Sequence, residues 1–485
     1  MLLEAATLVI LGSRYAYHRW QESKRPLGLG ATPLDLPRTQ EGDALPLLFG
    51  RYIVRNPIIA WAGNAEVQPD PIRTAEGFYF YEVAMLYAVA IPVENGVNRL
   101  QGIYIGDQRY TNLGTPSDMP PNLGVVTMPS VAGPSPSTLP DFSRLGYEWG
   151  DGADTQNFAA SEAASQMVTA GIPAGSIPEF RGLITFYGFW SRNNSTIPAL
   201  GLEFSSYPFD QRYHAYIPTR VGDEMNPADV IASVLCDRFG KLGLDPSSVI
   251  DQQSFQKAGE ALLAEGCGYS MCWSERTPAR DIINDVLRVA DGVLFKHRTT
   301  GRWKLKLIRA DYDPNALKVI DQTNALLENV EITGWSDVPN RVRVKWRDRQ
   351  DGYREKSSAA QNQAGAVNEL GETDELVLDF PAICTKEQAE ATVARELGAR
   401  SMPLLRCRAV VNRDLLDVEL GEAVKLHWPA YGISNRVMRV ADIQLGGPTS
   451  NSVTVALLED SFYVHRKYVS PLPPVAPFPT TAEVG

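Results

Sequence analysis

The sequence predicts an α+β protein that is predominantly β. It has two β-domains, an α/β segment between them and an irregular insertion in the first. Three observations predict this. Residues 180–208 hold two runs of strand character around a polar loop at 191–195. The chain carries 39 glycines and 34 prolines among 485 residues, a composition that favours turns and strands over long helices. From residue 319 onward apolar and polar residues alternate, most regularly over 340–349.

The run 180–190 is dense in aromatic residues, with Phe186, Tyr187, Phe189 and Trp190, which suit a pleated sheet. The run 200–208 sets Leu200, Leu202 and Phe204 against Gly201, Glu203 and Ser205, the period of a strand with one wet face. The expectation is a hairpin that returns the chain to a β-domain begun near residue 45.

Composition narrows the class. The chain is 44% hydrophobic and 21% charged, normal for several globular domains. A net charge of −11 argues against a surface that grips nucleic acid, which needs clustered Lys and Arg. Cys236, Cys267, Cys272, Cys384 and Cys407 are odd in number and scattered, so they read as reduced core thiols made in a reducing cytoplasm. Cys267 and Cys272 lack a zinc-knuckle spacing and have no nearby His.

Residues 1–12 are apolar but carry Glu4 and no preceding basic region, and the run is too short to span a bilayer. They read as a short amphipathic helix, and residues 1–43 as helix and extended arm lying on another surface. Leu8 and Trp20 are its candidate partner-facing side chains.

Residues 45–54 and 58–63 read as strands around a turn at Asn56-Pro57, with further strands at 78–90 and 100–105. Residues 111–178 crowd Pro, Ser and Gly and read as irregular, with one helix near 158–169. Asn226-Pro227 starts a helix with Val230, Ile231, Val234, Leu235 and Phe239 inward, ended by Gly240 or Gly243. Thr277-Pro278 starts another, with Ile282, Ile283, Val286, Leu287 and Ala290 inward and Gly292 as its stop. Strands follow at 293–295 and 303–307. Over 340–349, Val342, Val344 and Trp346 take one face, and Arg341, Arg343, Lys345 and Arg347 take the other. That basic row is either a solvated strand face or a contact for phosphate or an acidic partner. Thr385 to Gln388 reads as a capping box opening a helix with Ala389, Val393 and Leu397 inward, ended before Pro403. Strands at 404–411, 423–428, 437–445 and 453–458 complete the second β-domain. A proline-rich tail from Pro471 to Pro479 reads as a semi-rigid linker or docking segment.

No catalytic motif stands out. There is no His-Glu-x-x-His, no Gly-x-Ser-x-Gly and no phosphate-cradling loop. His18, His214, His297, His427 and His465 lie far apart, and acidic pairs such as Asp151/Asp154 and Glu459/Asp460 are expected by chance among 57 acidic residues. The expectation is no enzyme, no cofactor and no metal.

The order of these motifs resembles the tail-tip hub family of long-tailed phages and related tail-like particles: the baseplate hub and the N-terminal hub region of the tip attachment, host-specificity protein. The resemblance runs over about 40–465. It rests on the Leu45-Pro46-Leu47-Leu48-Phe49-Gly50 opening, the Arg181-Gly182 strand, the Asn226-Pro227 helix, the helix and hairpin after it, Gly421 before an apolar strand, and Leu457-Leu458-Glu459-Asp460. Where that family carries Pro-Gly-Asp, this chain has Leu420-Gly421-Glu422.

The resemblance implies two β-barrel-like tube domains per chain, drawn here as 44–110 with 179–220 and as 319–465, around an α/β hub segment at 221–318. It implies a homotrimeric ring at the distal end of a tail tube, in a virion. Its partners would be the distal tube protein, tip, fibre or receptor-binding proteins and the tape-measure protein, with DNA passing through without specific binding. The basic row should then face away from the axis and the lumen should be acidic or neutral. A glycan-binding or glycan-degrading tail-tip protein on a β scaffold is the alternative. A secreted adhesin is a weaker one, given the odd cysteines and the absence of a signal-peptide pattern.

Overall fold

The structure is a computed structural model and describes residues 44–69, 79–94, 96–106, 108–110, 124–127, 144–150, 158–192, 199–208, 218–238, 240–334, 338–339, 341–358, 361–362, 374–412, 417–446 and 452–463. The fold is mixed α+β with predominantly β content. Two compact units divide it. The first comprises Met1–Met225, Val230–Asp245 and Ser270–Ile282, and the second Asn226–Asp229, Pro246–Tyr269 and Ile283–Gly485. The expectations for residues 1–43, for Phe239 and for the C-terminal tail lie outside the described residues.

In the first unit, β1 (Leu47–Arg55), β4 (Gly96–Ile105), β5 (Gln108–Tyr110), β9 (Leu200–Pro208) and β12 (Met271–Trp273) form one sheet in the order β12-β1-β9-β4-β5. A second sheet joins β2 (Ile58–Pro69), β3 (Tyr79–Ala90), β6 (Gly124–Thr127), β7 (Arg144–Gly150) and β8 (Ile184–Arg192) in the order β2-β3-β8-β7-β6. The short strands β10 (Arg220–Val221) and β11 (Glu224–Met225) pair with each other.

The apolar run in β3 explains the packing. Val83, Met85, Tyr87 and Val89 share a core with Phe186 and Trp190 of β8, Leu202 and Phe204 of β9, and Ile103 of β4. The alternate residues Ala84, Leu86 and Ala88 face a second core, built with Trp61, Phe158 and Met167. The strand is therefore covered on both faces, which is why it reads as continuous rather than alternating. The helix expected near 158–169 is present as α1 (Glu162–Thr169). Ser161 caps it by accepting the Ala164 N–H at 3.1 Å.

Two expectations here are corrected. The stretch 180–208 is not a hairpin: β8 pairs with β3 and β7, while β9 pairs with β1 and β4. Each strand is central in its own sheet. A two-stranded ribbon cannot bury both faces, and all nine residues of β9 are buried. The face read as wet holds Glu203, which is 0% exposed. The insertion is also less irregular than its composition suggests, because β6 and β7 extend the second sheet.

Buried Glu203 is balanced from two sides. Arg51 of β1 donates to it at 2.7 Å and Arg109 of β5 at 2.6 Å. Arg51 also reaches Asp223 at 2.7 Å.

Among the helices, α2 (Pro227–Cys236) opens as expected, with Asn226 Oδ1 accepting the Ala228 N–H at 3.0 Å. A short turn of helix at Pro246–Val249 follows, then α3 (Gln252–Glu265), capped by Asp251 and ended by Gly266 in the left-handed conformation. α4 (Ala279–Ala290) ends differently from the expectation. Asp291, at φ 50°, takes the left-handed position, and Gly292 already begins the next strand. Asp tolerates this region because its short polar side chain can bond locally.

In the second unit, β13 (Gly292–Lys296) and β14 (Trp303–Leu307) form the expected hairpin. A six-stranded sheet follows from β15 (Val319–Ile320), β16 (Ala325–Ile332), β21 (Leu405–Asn412), β22 (Ala423–Trp428), β23 (Ile433–Leu445) and β24 (Ser452–Glu459). Its order is β15-β22-β23-β24-β21-β16. One core draws on all six strands, including Ile320, Leu327, Leu405, Cys407, Leu426, Met438, Val440, Val455 and Leu457. Residues of a single sheet face so common a core only when the sheet curls, as a half-barrel does.

β16 carries a bulge between Glu328 and Glu331, with Asn329 at φ 48°. Gly421 sits before β22 at φ 73°, and a Cβ there would lie 2.9 Å from Ile308 and 3.0 Å from Val293. This glycine is thus required both by conformation and by space.

A smaller sheet holds β17 (Arg341–Asp348) between β18 (Arg354–Ser357) and β20 (Glu375–Asp379), with β19 (Gln361–Asn362) at one end. α5 (Lys386–Arg400) packs on β17 and buries Ala389, Val393 and Leu397. The capping box is corrected. Thr385 holds the N-cap position but makes no side-chain cap bond, and the Gln388 amide instead donates to Gly268 O at 2.7 Å.

Replacing Glu203 with Ala removes the shared partner of two arginines that keep partial exposure, and the lost charge-assisted hydrogen bonds should cost about 1.5–3 kcal/mol. Chemical denaturation of E203A should show that loss. A change below about 1 kcal/mol would mean the arginines are hydrated without the carboxylate.

Candidate functional site

The second unit offers a charged strand and a cleft beside it. β17 alternates as expected. Val342, Val344 and Trp346 are buried, while Arg341, Arg343, Lys345 and Arg347 are partly exposed on the other face. Successive side chains on that face stand about 6.7 Å apart, where like charges in water repel by roughly 0.6 kcal/mol each.

Neighbouring strands answer this repulsion. Glu375 of β20 lies 3.4 Å from Arg341 and 3.0 Å from Arg343. Glu355 of β18 lies 3.2 Å from Lys345 and 2.7 Å from Arg347. Each carboxylate thus bridges two cations, and Asp379 stands on the same rung as Lys345. The basic row of the sequence is a nearly balanced charge ladder in the sheet. Val377 sits within it, on the rung of Arg343, and is 47% exposed.

Glu375 and Leu376 also line a cleft with a volume of about 1380 Å³. The outer face of the six-stranded sheet contributes Arg406, Arg408 and Leu458 to it. α5 contributes Arg395, Glu396 and Arg400. Arg400 donates to Glu396 at 2.9 Å, and Arg406 to Thr333 Oγ1 at 3.4 Å. Cations and carboxylates are interleaved along its walls, so no single small-ion chemistry is defined.

The remaining expected residues fall elsewhere. Leu8 and Trp20 lie outside the described residues, as do His18, His214, His465, Asp151 and Asp154. His297 meets Glu419 at 3.5 Å, a carboxylate it shares with Lys304 at 2.8 Å. Glu459 is buried against Arg436 at 3.0 Å, and Asp460 against Arg439. Both of those carboxylates hold structural ion pairs. All five cysteines are free thiols. Burial pushes Cys267 up to about 11, and Cys272 and Cys407 up to about 12. Among the described residues, no group of three or more His, Cys, Asp or Glu is arranged to hold a metal, and no helix is long and apolar enough to cross a membrane.

Sequence reasoning missed Glu355 and Glu375 as partners of the basic row. The alternation Glu375-Leu376-Val377-Leu378-Asp379 marks a half-buried strand with an acidic outer face, which is the signal that was available.

With this geometry in place, the comparisons are informative. Residues 278–443 match a family model described as "Putative phage tail protein". The chain shares its fold with a chain from the virion of a native gene transfer agent particle, at 14% identity, 90% coverage of this chain and 89% of that one, and a TM-score of 0.56. The 43 kDa tail protein of prophage MuSo2 from Shewanella oneidensis aligns over 55% of this chain and 75% of its own, at 11% identity and a TM-score of 0.31. A tail protein from Neisseria meningitidis MC58 aligns over 56% and 76%, at 11% identity and a TM-score of 0.32. No curated protein matches the sequence.

Hydrogen bonds from Arg347 and then Lys345 hold the Glu355 carboxyl below its usual range. A depressed folded pKa contributes stability above the unfolded value, near 4.3, which is lost as pH falls through the folded value. Carboxyl NMR titration should place Glu355 below its ordinary midpoint, and Arg347→Ala should move it up. An unmoved midpoint would show that the ion pair does not form in solution.

The raised thiol pKa values predict slow alkylation. At pH 8 a group near 12 is about 0.01% thiolate, against roughly a quarter for an ordinary cysteine. Cys272 and Cys407 should react with iodoacetamide at least about a hundredfold more slowly in the folded chain than after unfolding. Equal rates, read by peptide mass mapping, would contradict their burial.

Proposed function

We propose that this chain is a structural hub protein of a phage-type tail tip or baseplate. Three copies form a ring that closes the distal end of the tail tube, joins it to tip or fibre proteins and leaves a passage for DNA. The carrying observation is the fold correspondence over 90% of the chain with a virion component. The phage-tail family match adds support from within the second unit, where it takes in the β13-β14 hairpin, the charged strand and α5.

The two β-domains serve as the tube domains, residues 44–110 with 179–220 and residues 319–465. Three chains then present six similar units to a six-fold tube. Residues 221–318 are the hub segment between them, and residues 1–43, with Leu8 and Trp20, pack on a neighbouring copy. The role is non-catalytic, and the protein is made in the host cytoplasm and carried in the virion. Its neighbours are the distal tube protein, the tape-measure protein and receptor-binding or fibre proteins.

A ring of three copies carries a formal charge of −33, three times −11. DNA presents about one negative charge per 1.7 Å of duplex, so an acidic or neutral lumen lets it slide where a basic one would hold it. Arg341, Arg343, Lys345 and Arg347 therefore face a partner subunit or solvent rather than the axis. Their pairing with Glu355 and Glu375 supports this, because a laddered strand face can exchange ion-pair partners with an opposing subunit.

Mass photometry and symmetry analysis of the purified protein or particle test the reading. The expected species is about 160 kDa, three chains of 53.4 kDa, with three-fold symmetry. A chain that stays monomeric both alone and in its particle would rule out the ring. The four basic side chains lining the passage in an assembled structure would rule out the conduit argument.

A further inference from the structure

The cleft of the second unit is large and mixed in character. At about 1380 Å³ it exceeds the roughly 300–1,000 Å³ of ordinary small-molecule pockets. Apolar side chains, among them Leu376, Leu404 and Leu458, line it together with arginines and carboxylates. A guanidinium carries five N–H donors. Arg406 gives one to Thr333 Oγ1, and Arg400 gives one to Glu396. A cleft of this kind suits a chain segment that is apolar at intervals and richer in acceptors than in donors.

The sequence contains such a segment outside the described residues. Positions 471–479 read Pro-Leu-Pro-Pro-Val-Ala-Pro-Phe-Pro. Each proline lacks an N–H but keeps its carbonyl, so the segment is short of donors. Its composition favours polyproline II, with three residues per turn and about 3.1 Å per residue. Leu472, Val475 and Phe478 are spaced by three and therefore fall on one edge, about 9 Å apart.

The last described strand runs along the cleft. Leu457 and Leu458, at the end of β24, are part of its lining. Just beyond them Asp460 pairs with Arg439, which donates to the Arg309 carbonyl. Arg309 in turn donates to Asp291 O at 3.1 Å, and Asp291 lines the same cleft. The described residues end at Tyr463, within a short tether of the cleft. A tether of this length holds a segment at millimolar effective concentration, so a weak contact suffices.

We propose that this cleft seats the chain's own proline-rich segment, residues 471–479, in polyproline II conformation, with Leu472, Val475 and Phe478 against the apolar wall and arginine N–H groups on the proline carbonyls. The test uses the full chain with a photo-cross-linking benzoyl-phenylalanine in place of Phe478. Irradiation should give an adduct within one chain, mapped by peptide mass spectrometry to the segments around Leu376 or 404–408. The same label in an L472D/V475D chain should give about a tenfold lower yield, because two apolar anchors then carry charge. These positions lie outside every strand and helix described above, so an unchanged unfolding curve separates lost docking from lost folding. An adduct elsewhere, an adduct at twice the chain mass, no adduct, or a yield unaffected by the two aspartates would each overturn the proposal.

Discussion

The first unit depends on one buried carboxylate. Glu203 sits in mid-strand with no exposure, between Arg51 and Arg109. Burying the carboxylate costs several kcal/mol in lost hydration, and the close pairs with two partly exposed arginines return a similar amount, so the net stabilisation over an apolar residue is small. What the arrangement does supply is register. A slip of one residue in β9 would turn Glu203 to the opposite face, into the apolar core and away from both arginines. Strand alternation alone could not enforce this, because β9 is buried on both faces.

That double burial also marks the limit of what the sequence reveals. Periodicity reports whether a residue meets water. It does not report which strand lies alongside. The strands at 180–208 are therefore legible as strands, while their assignment to separate sheets is not. The helices starting at Pro227 and Ala279, the hairpin β13-β14 and the strands of the curled sheet are legible because each rests on local signals: a cap, a turn, an alternating run. The end of α4 is not, because Asp291 takes a conformation usually reserved for glycine. Gln388 misleads in the same way, since a tertiary acceptor at Gly268 outcompetes the local cap.

The candidate site shows the same division. The four basic residues and their common face can be read from 341–347. The acidic strand at 375–379 can be read too, but its pairing with 341–347 cannot, since Glu375 arrives on a parallel strand after a long connection. The difference changes the chemistry. An unanswered row of four cations would attract phosphate, with a binding strength that falls steeply as salt rises. A row bridged by carboxylates holds little net field beyond a Debye length of about 8 Å and recognises shape and pairing order instead. Such a face suits contact with a folded neighbour.

The outermost long strand of the six-stranded sheet has a further bearing on how copies of the chain meet. β16 stands at the sheet edge with Leu326 and Ile332 each 61% exposed, a combination that invites another chain to add a strand. Its bulge at Asn329 breaks the ladder midway and twists the edge, and Glu328 and Glu331 flank the break with negative charge. Only short, out-of-line stretches remain on either side. Copies of the chain at high concentration are therefore hindered from seeding fibrils through this edge.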